Sequence, residues 1–176
     1  LLIVVIGSIL VRSCGCVIND ISDYKIDKLV SRTVGRPLAT GALSIYEAWV
    51  FFLLLGLMSL SLFLFTNPLT IKVGIFFAIF IIVYPLTKRF FKAPQFFLGI
   101  TFGSGSLISY SLVTSSPSLS IVILYIGLIA WIISFDTYYA LEDIEDDRNI
   151  GINSTALLWN DSAIKIARLL HLFFYA

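Results

Sequence analysis

Of the chain's 176 residues 59% are hydrophobic and only 13% charged, and the mean hydropathy of +0.97 lies far outside the range of soluble globular domains. The composition is that of a membrane protein. A formal net charge of +1 excludes a diffuse affinity for nucleic acid, so the informative charge is local.

Apolar runs at residues 1–18, 46–66, 68–86, 95–114 and 118–135 are each long enough for a helix across a hydrocarbon core about 30 Å thick. Residues 162–176 are apolar but too short for a span. The expectation is an all-α, multi-span transmembrane bundle of five spans and the start of a sixth. It forms one membrane domain, 1–176, truncated at both ends, since the chain opens on Leu1 and its one methionine is Met58. Lipid offers no partner to the backbone, so each span must satisfy its own hydrogen bonds, and no alternating pattern supports a barrel. There is no basic leader or cleavage site of a signal peptide. Cys14 and Cys16 form a C-x-C without a second pair and read as small buried residues.

The first span runs directly into the stretch 19–41, acidic and then basic. Asn19, Asp23 and Asp27 are spaced by four, so on a continuing helix their oxygens share one face and can converge on a hard cation such as Mg2+. Arg32 and Arg36 repeat the spacing as planar donors suited to phosphate. A solvated charged loop beside a span is the alternative. Arg12, seven residues before Asn19, lies on the same face about two turns deeper. A charge there needs a partner, either a substrate anion or an aspartate.

Spans two and three join through Thr66-Asn67-Pro68, and spans four and five through the turn 114–117, both short and uncharged. Segments 19–45, 87–94 and 136–161 therefore emerge together on the other face. All eleven acidic residues lie on or beside that face, and of the twelve Lys and Arg only Lys72 lies toward the opposite one. The positive-inside bias places the charged face in the cytoplasm, or in the matrix of a mitochondrion.

Between these segments, Tyr84 and Lys88 stand one turn apart at the end of span three and can add a hydroxyl and an ammonium to a phosphate site, with Arg89 beside them. Interfacial anchoring is the alternative. Span four carries three glycines among small hydroxyl residues at 98–106, which suits close helix packing or a groove for an isoprenoid chain beside Phe102 and Gly103. The second acidic stretch follows span five, with Asp136, Asp143 and Asp147 at i, i+7 and i+11 of one helical face. So many carboxylates, Asp146 among them, repel one another unless a cation neutralises them. Two such stretches can clamp a metallated diphosphate from two sides. Asp136 and Tyr139 complete the expected substrate pocket, Glu142 and Glu145 lie off the stripe, and His171 has no companion ligands.

These residues resemble the UbiA-type intramembrane prenyltransferases, and within them the branch that prenylates 4-hydroxybenzoate in ubiquinone biosynthesis. The resemblance rests on Gly15-Cys-Val-Ile-Asn-Asp-Ile-Ser-Asp-Tyr-Lys-Ile-Asp27, Arg32-Thr-Val-Gly-Arg-Pro-Leu-Ala-Thr-Gly41 and Tyr84-Pro-Leu-Thr-Lys-Arg89. It extends to Asp136-Thr-Tyr-Tyr-Ala-Leu-Glu-Asp-Ile-Glu-Asp-Asp147 and Ile150-Gly-Ile-Asn-Ser-Thr-Ala156. It implies a bundle of about nine helices, of which this chain holds the second to the sixth and the start of the seventh. The chain departs from the family at Asn153, usually lysine, and at Asn160, commonly glycine.

By the same resemblance, Mg2+ bridges Asn19, Asp23, Asp27, Asp143, Asp146 and Asp147 to an allylic polyprenyl diphosphate. Arg12, Arg32, Arg36, Tyr84, Lys88 and Arg89 hold the diphosphate. The acceptor is 4-hydroxybenzoate, and the lipid bilayer of a bacterial or mitochondrial inner membrane is the surrounding partner. Prenyl transfer to haem or to another aromatic keeps the same metal residues, whereas a divalent-cation transporter accounts for the aspartates but not for the phosphate donors.

Overall fold

The computed structural model describes residues 1–114 and 116–175, and their regular structure is helical. In chain order the elements are α1 (Leu2–Asp23), α2 (Pro37–Thr40), α3 (Ile45–Ser61) with a 3-10 extension Leu62–Phe65, α4 (Pro68–Thr87), α5 (Pro94–Ser111) and α6 (Leu119–Glu142). Then come α7 (Ile144–Ile150), α8 (Thr155–Trp159), a 3-10 turn Asn160–Ser162 and α9 (Ala163–Phe173).

Four of these, α1, α3 with its extension, α4 and α6, are long and apolar enough to cross a membrane. The protein is an integral membrane protein. α5, expected as the fourth of five spans, has 18 residues but is diluted by glycine, serine and threonine, and it packs between α4 and α6. Its small residues explain both facts. A Cβ on Gly99 would stand 3.1 Å from the Ile129 carbonyl oxygen of α6, so glycine is what lets the two backbones meet. The same holds for Gly103, where a Cβ would stand 3.0 Å from the Tyr125 ring. Gly103 thus faces Tyr125 and Ile129 of α6, the close packing that its small size allows.

At the uncharged end Asn67 ties α4 to α5, and Ser111 Oγ adds a buried bond to Thr70 Oγ1 at 2.9 Å. Asn67 caps α4 by accepting from the Thr70 N–H at 3.0 Å, and its Nδ2 donates to the Ser111 carbonyl of α5 at 2.6 Å. Pro68 at the first helical position needs no N–H partner. The turn at 114–117 contains Ser115, which lies outside the described residues. At the charged end α3 starts with a capping box, Ser44 accepting from the Glu47 N–H and Glu47 from the Ser44 N–H.

Long apolar side chains on α3, such as Leu53, Leu54, Leu57 and Met58, are exposed, and Ala48 is its one buried residue. That is the burial pattern of a helix solvated by lipid. A compact cluster of Ile21, Leu38 and Ala48, flanked by Val17, Tyr24, Leu43 and Phe52, joins α1, α2 and α3 beneath the charged loops. On the other side α9 lies against α6 through Ala163 and Ala167, both fully buried, and Ser134 Oγ donates to the Ala167 carbonyl at 2.8 Å. Asn160, after α8, has φ 43°, a positive value that glycine adopts without strain.

Candidate active site

α1 carries Asn19, Asp20 and Asp23 to the charged end and keeps one further turn, the Asp27 N–H donating to the Asp23 carbonyl at 2.8 Å. Beyond it the chain breaks into consecutive turns, so Arg32 and Arg36 do not continue a helical face as their spacing suggested. Packing positions them instead. Arg36 is extended at the N-cap of α2, Pro37 opens that helix, and the buried Leu38 anchors it against α1 and α3. From there Arg36 bridges Asp20 at 3.0 Å and Asp27 at 3.1 Å.

The second stretch is also interrupted. α6 continues past Asp136 to Glu142, and the helix breaks at Asp143, where φ is −98° and ψ 8°, before α7 starts. A single stripe through Asp136, Asp143 and Asp147 is therefore not formed. The break turns Asp143 to Arg32, whose Nε donates to its two oxygens at 3.0 and 3.1 Å and whose second nitrogen closes a forked ion pair. The Ser31 N–H donates to Asp146 at 3.0 Å beside it. These contacts join the loop after α1 to the α6–α7 junction, and Ser31, Arg32, Glu142, Asp143, Glu145 and Asp146 line a cleft of about 490 Å³ there.

Asp23 lies at the centre. It is only 1% exposed; its Oδ2 accepts from the Lys88 ammonium at 2.6 Å, and its Oδ1, 4.0 Å from Arg89, has no hydrogen-bond partner. Arg89 donates to the Ser22 carbonyl. A buried carboxylate oxygen without a partner is costly in a protein and is what a hard cation binds. Burial and then the neighbouring Asp143 push the Asp147 carboxyl up to about 6, while Lys88 opposes the shift. The Arg32 guanidinium is pushed up by its bonds to Asp143 and stays charged. Lys88 thus acts on both stretches, by a hydrogen bond to Asp23 and by its charge on Asp147.

Among the described residues no three acidic, histidine or cysteine side chains form a ready cage for one ion. Basic groups separate the carboxylates. That arrangement fits Mg2+, which is commonly held by one or two carboxylates with substrate phosphates completing its octahedron.

Comparison with known proteins then decides the family. The model of the UbiA prenyltransferase family matches residues 1–176. The chain belongs to that family. It is 43% identical over 161 residues to a 4-hydroxybenzoate octaprenyltransferase of Saccharophagus degradans, covering 92% of this chain and 54% of that protein. A protein of the same description from Shewanella amazonensis is 40% identical, with 90% of this chain and 55% of that one covered. The chain thus spans about half the length of these relatives. The apo structure of a UbiA homolog from Aeropyrum pernix K1 superposes with a TM-score of 0.86 at 26% identity over 98% of this chain and 66% of that one. The structure of a UbiA homolog from Archaeoglobus fulgidus bound to DMAPP and Mg2+ shares the fold, with a TM-score of 0.80 at 18% identity over 98% and 62% of the two chains.

In this UbiA member Arg12 does not meet an aspartate. Its guanidinium lies over the Phe102 ring, 5.5 Å from the centroid, and donates to the Cys16 sulfur. Asp136 is half-buried two turns below Asp143, whereas Tyr139 is 60% exposed and packs edge-on to Phe135. Tyr84 precedes Pro85 in the last turn of α4, and its carbonyl accepts from Thr87 Oγ1 at 2.6 Å. Sequence reasoning missed Asp20 as the second partner of Arg36, and Gln95. The buried Gln95 accepts the Thr155 N–H at 2.9 Å and locks α8 to the start of α5. A lone polar residue directly after Pro94 was the available signal.

Proposed function

We propose that the protein transfers a polyprenyl group from an allylic diphosphate to 4-hydroxybenzoate in a Mg2+-dependent reaction of ubiquinone biosynthesis. The observation that carries this reading is the joining of the two acidic stretches through Arg32–Asp143 and Ser31–Asp146, with a buried oxygen of Asp23 left without a hydrogen-bond partner. The names of the relatives supply the acceptor, and the Mg2+ and DMAPP bound by the archaeal homolog fit the donor.

Asn19, Asp23 and Asp27 from one side, and Asp143, Asp146 and Asp147 from the other, are the residues to hold the ions. Bound there, Mg2+ neutralises the diphosphate and favours its departure. Lys88, Arg36 and Arg89 supply positive charge where negative charge grows on the leaving group. Tyr84 and Asp136, deeper on α4 and α6, are assigned to the part of the site that takes the prenyl chain and acceptor. Arg12, paired with no carboxylate among the described residues, is left for a substrate anion, and the carboxylate of the acceptor suits it. The reaction needs a site closed to water, which would trap an allylic cation as an alcohol. The charged face lies in the cytoplasm or matrix of a bacterial or mitochondrial inner membrane.

Radiolabelled prenyl transfer in membranes containing the protein, with 4-hydroxybenzoate and several other aromatic acceptors, tests this. Transfer to another acceptor alone overturns the choice of acceptor, and absence of any transfer overturns the reading.

A further inference from the structure

The link between α7 and α8 contains an unusual fastening. Asn153 donates to the Lys88 carbonyl twice, from its backbone N–H at 3.0 Å and from Nδ2 at 3.1 Å. That carbonyl ends α4, where the last turn leaves acceptors without helical partners. The N–H groups of Phe90 and Phe91 both go to Thr87, at 3.1 and 2.7 Å, so neither competes for it. At the other end of the link, the Gly151 and Ile152 N–H groups donate to the Asp147 carbonyl at 2.9 and 3.0 Å. A chain of short bonds therefore runs from Asp147 through the link to Lys88, and on through the ammonium to Asp23 at 2.6 Å.

We propose that Asn153 is a positioning residue that, through its two bonds to the Lys88 carbonyl, sets the spacing between the acidic stretch at Asp147 and the one at Asp23. Asn153 touches neither carboxylate and acts through Lys88 and its own backbone. A lysine at this position could offer charge to a diphosphate; asparagine offers a short, neutral double donor to a helix end instead. The spacing matters because a diphosphate held by ions from two sides tolerates little change in separation. This inference rests on the functional reading above only for its effect on ligand binding.

The test uses the whole protein with Cys14 and Cys16 replaced by alanine and spin labels at Lys25 and Arg148, both exposed. In Asn153→Ala the distance distribution between the labels is expected to broaden. The dissociation constant of a non-reacting prenyl thiodiphosphate with Mg2+ is expected to rise about fivefold to tenfold, the effect of one hydrogen bond. Asn153→Asp, which keeps the size but loses the side-chain donor, is expected to do the same and serves if the alanine variant does not fold. In a Lys88→Met background Asn153→Ala is expected to weaken binding no further, whereas a packing role would act equally in both backgrounds. Unchanged distances and binding in either Asn153 variant, or an undiminished effect in Lys88→Met, overturn the proposal. If the unsubstituted protein transfers no prenyl group, the functional reading fails while the distance measurement still decides the tie.

Discussion

The Lys88 ammonium donates to Asp23 Oδ2 at 2.6 Å across 65 residues of chain, and the same charge acts on Asp147. A basic residue at the end of one apolar helix thus meets the buried acidic group carried by another.

Asp23→Ala and Asp147→Ala are each expected to lower prenyl transfer at least about a hundredfold without impairing membrane insertion, because each removes charge from a preorganised site and no large packing group. Transfer rates in membranes with matched protein levels check this. Near-normal turnover in either variant rules out a site built from both stretches.

Turnover is expected with Mg2+ or Mn2+ and to fail with Ca2+, which takes longer bonds and looser geometry. Chelation stops the reaction and leaves the thermal transition of the bundle in place, since helix packing in lipid and not the ion holds it together. Cation uptake into vesicles without prenyl diphosphate is the result a transporter would give.

Arg32→Ala and Asp143→Ala are expected to release the same loop. Because the pair joins residues 111 apart, loss of either partner should speed trypsin cleavage at Lys28, and the double variant should cleave no faster than the singles. Additive acceleration would show that the pair does not hold the loop.

Two glycines on α5 are expected to respond in opposite ways. Gly99→Ala presses a methyl against the Ile129 backbone and should cost roughly 1–3 kcal/mol of stability in detergent. Gly105→Ala meets nothing within 4 Å and should be neutral or slightly stabilising, as expected for alanine in a helix. Thermal melting of the two variants separates packing from composition.

Cysteines introduced at Lys25 and Arg148 are expected to react with an impermeant reagent from the same side of sealed vesicles. Labelling from opposite sides would refute the shared charged face.

The hydropathy runs by themselves determined the long helices, and the short uncharged turn at Thr66-Asn67-Pro68 put the charged stretches at one end. Lipid forces a span to close its own hydrogen bonds, so these features depend on local sequence alone. The helical faces drawn past Asp27 and Glu142 were misread for the opposite reason. At a membrane surface water satisfies the backbone, propensity is weak, and distant partners decide where a helix stops. Leu38 anchoring α2 against α1 and α3 turns Arg36 back to Asp20 and Asp27, and the break at Asp143 delivers that carboxylate to Arg32. Gly103 could be read as groove or packing until Tyr125 was seen against it. Which charges pair, and around which atom of Asp23 they leave a place, belongs to contacts between segments far apart in sequence, and only the folded bundle makes them.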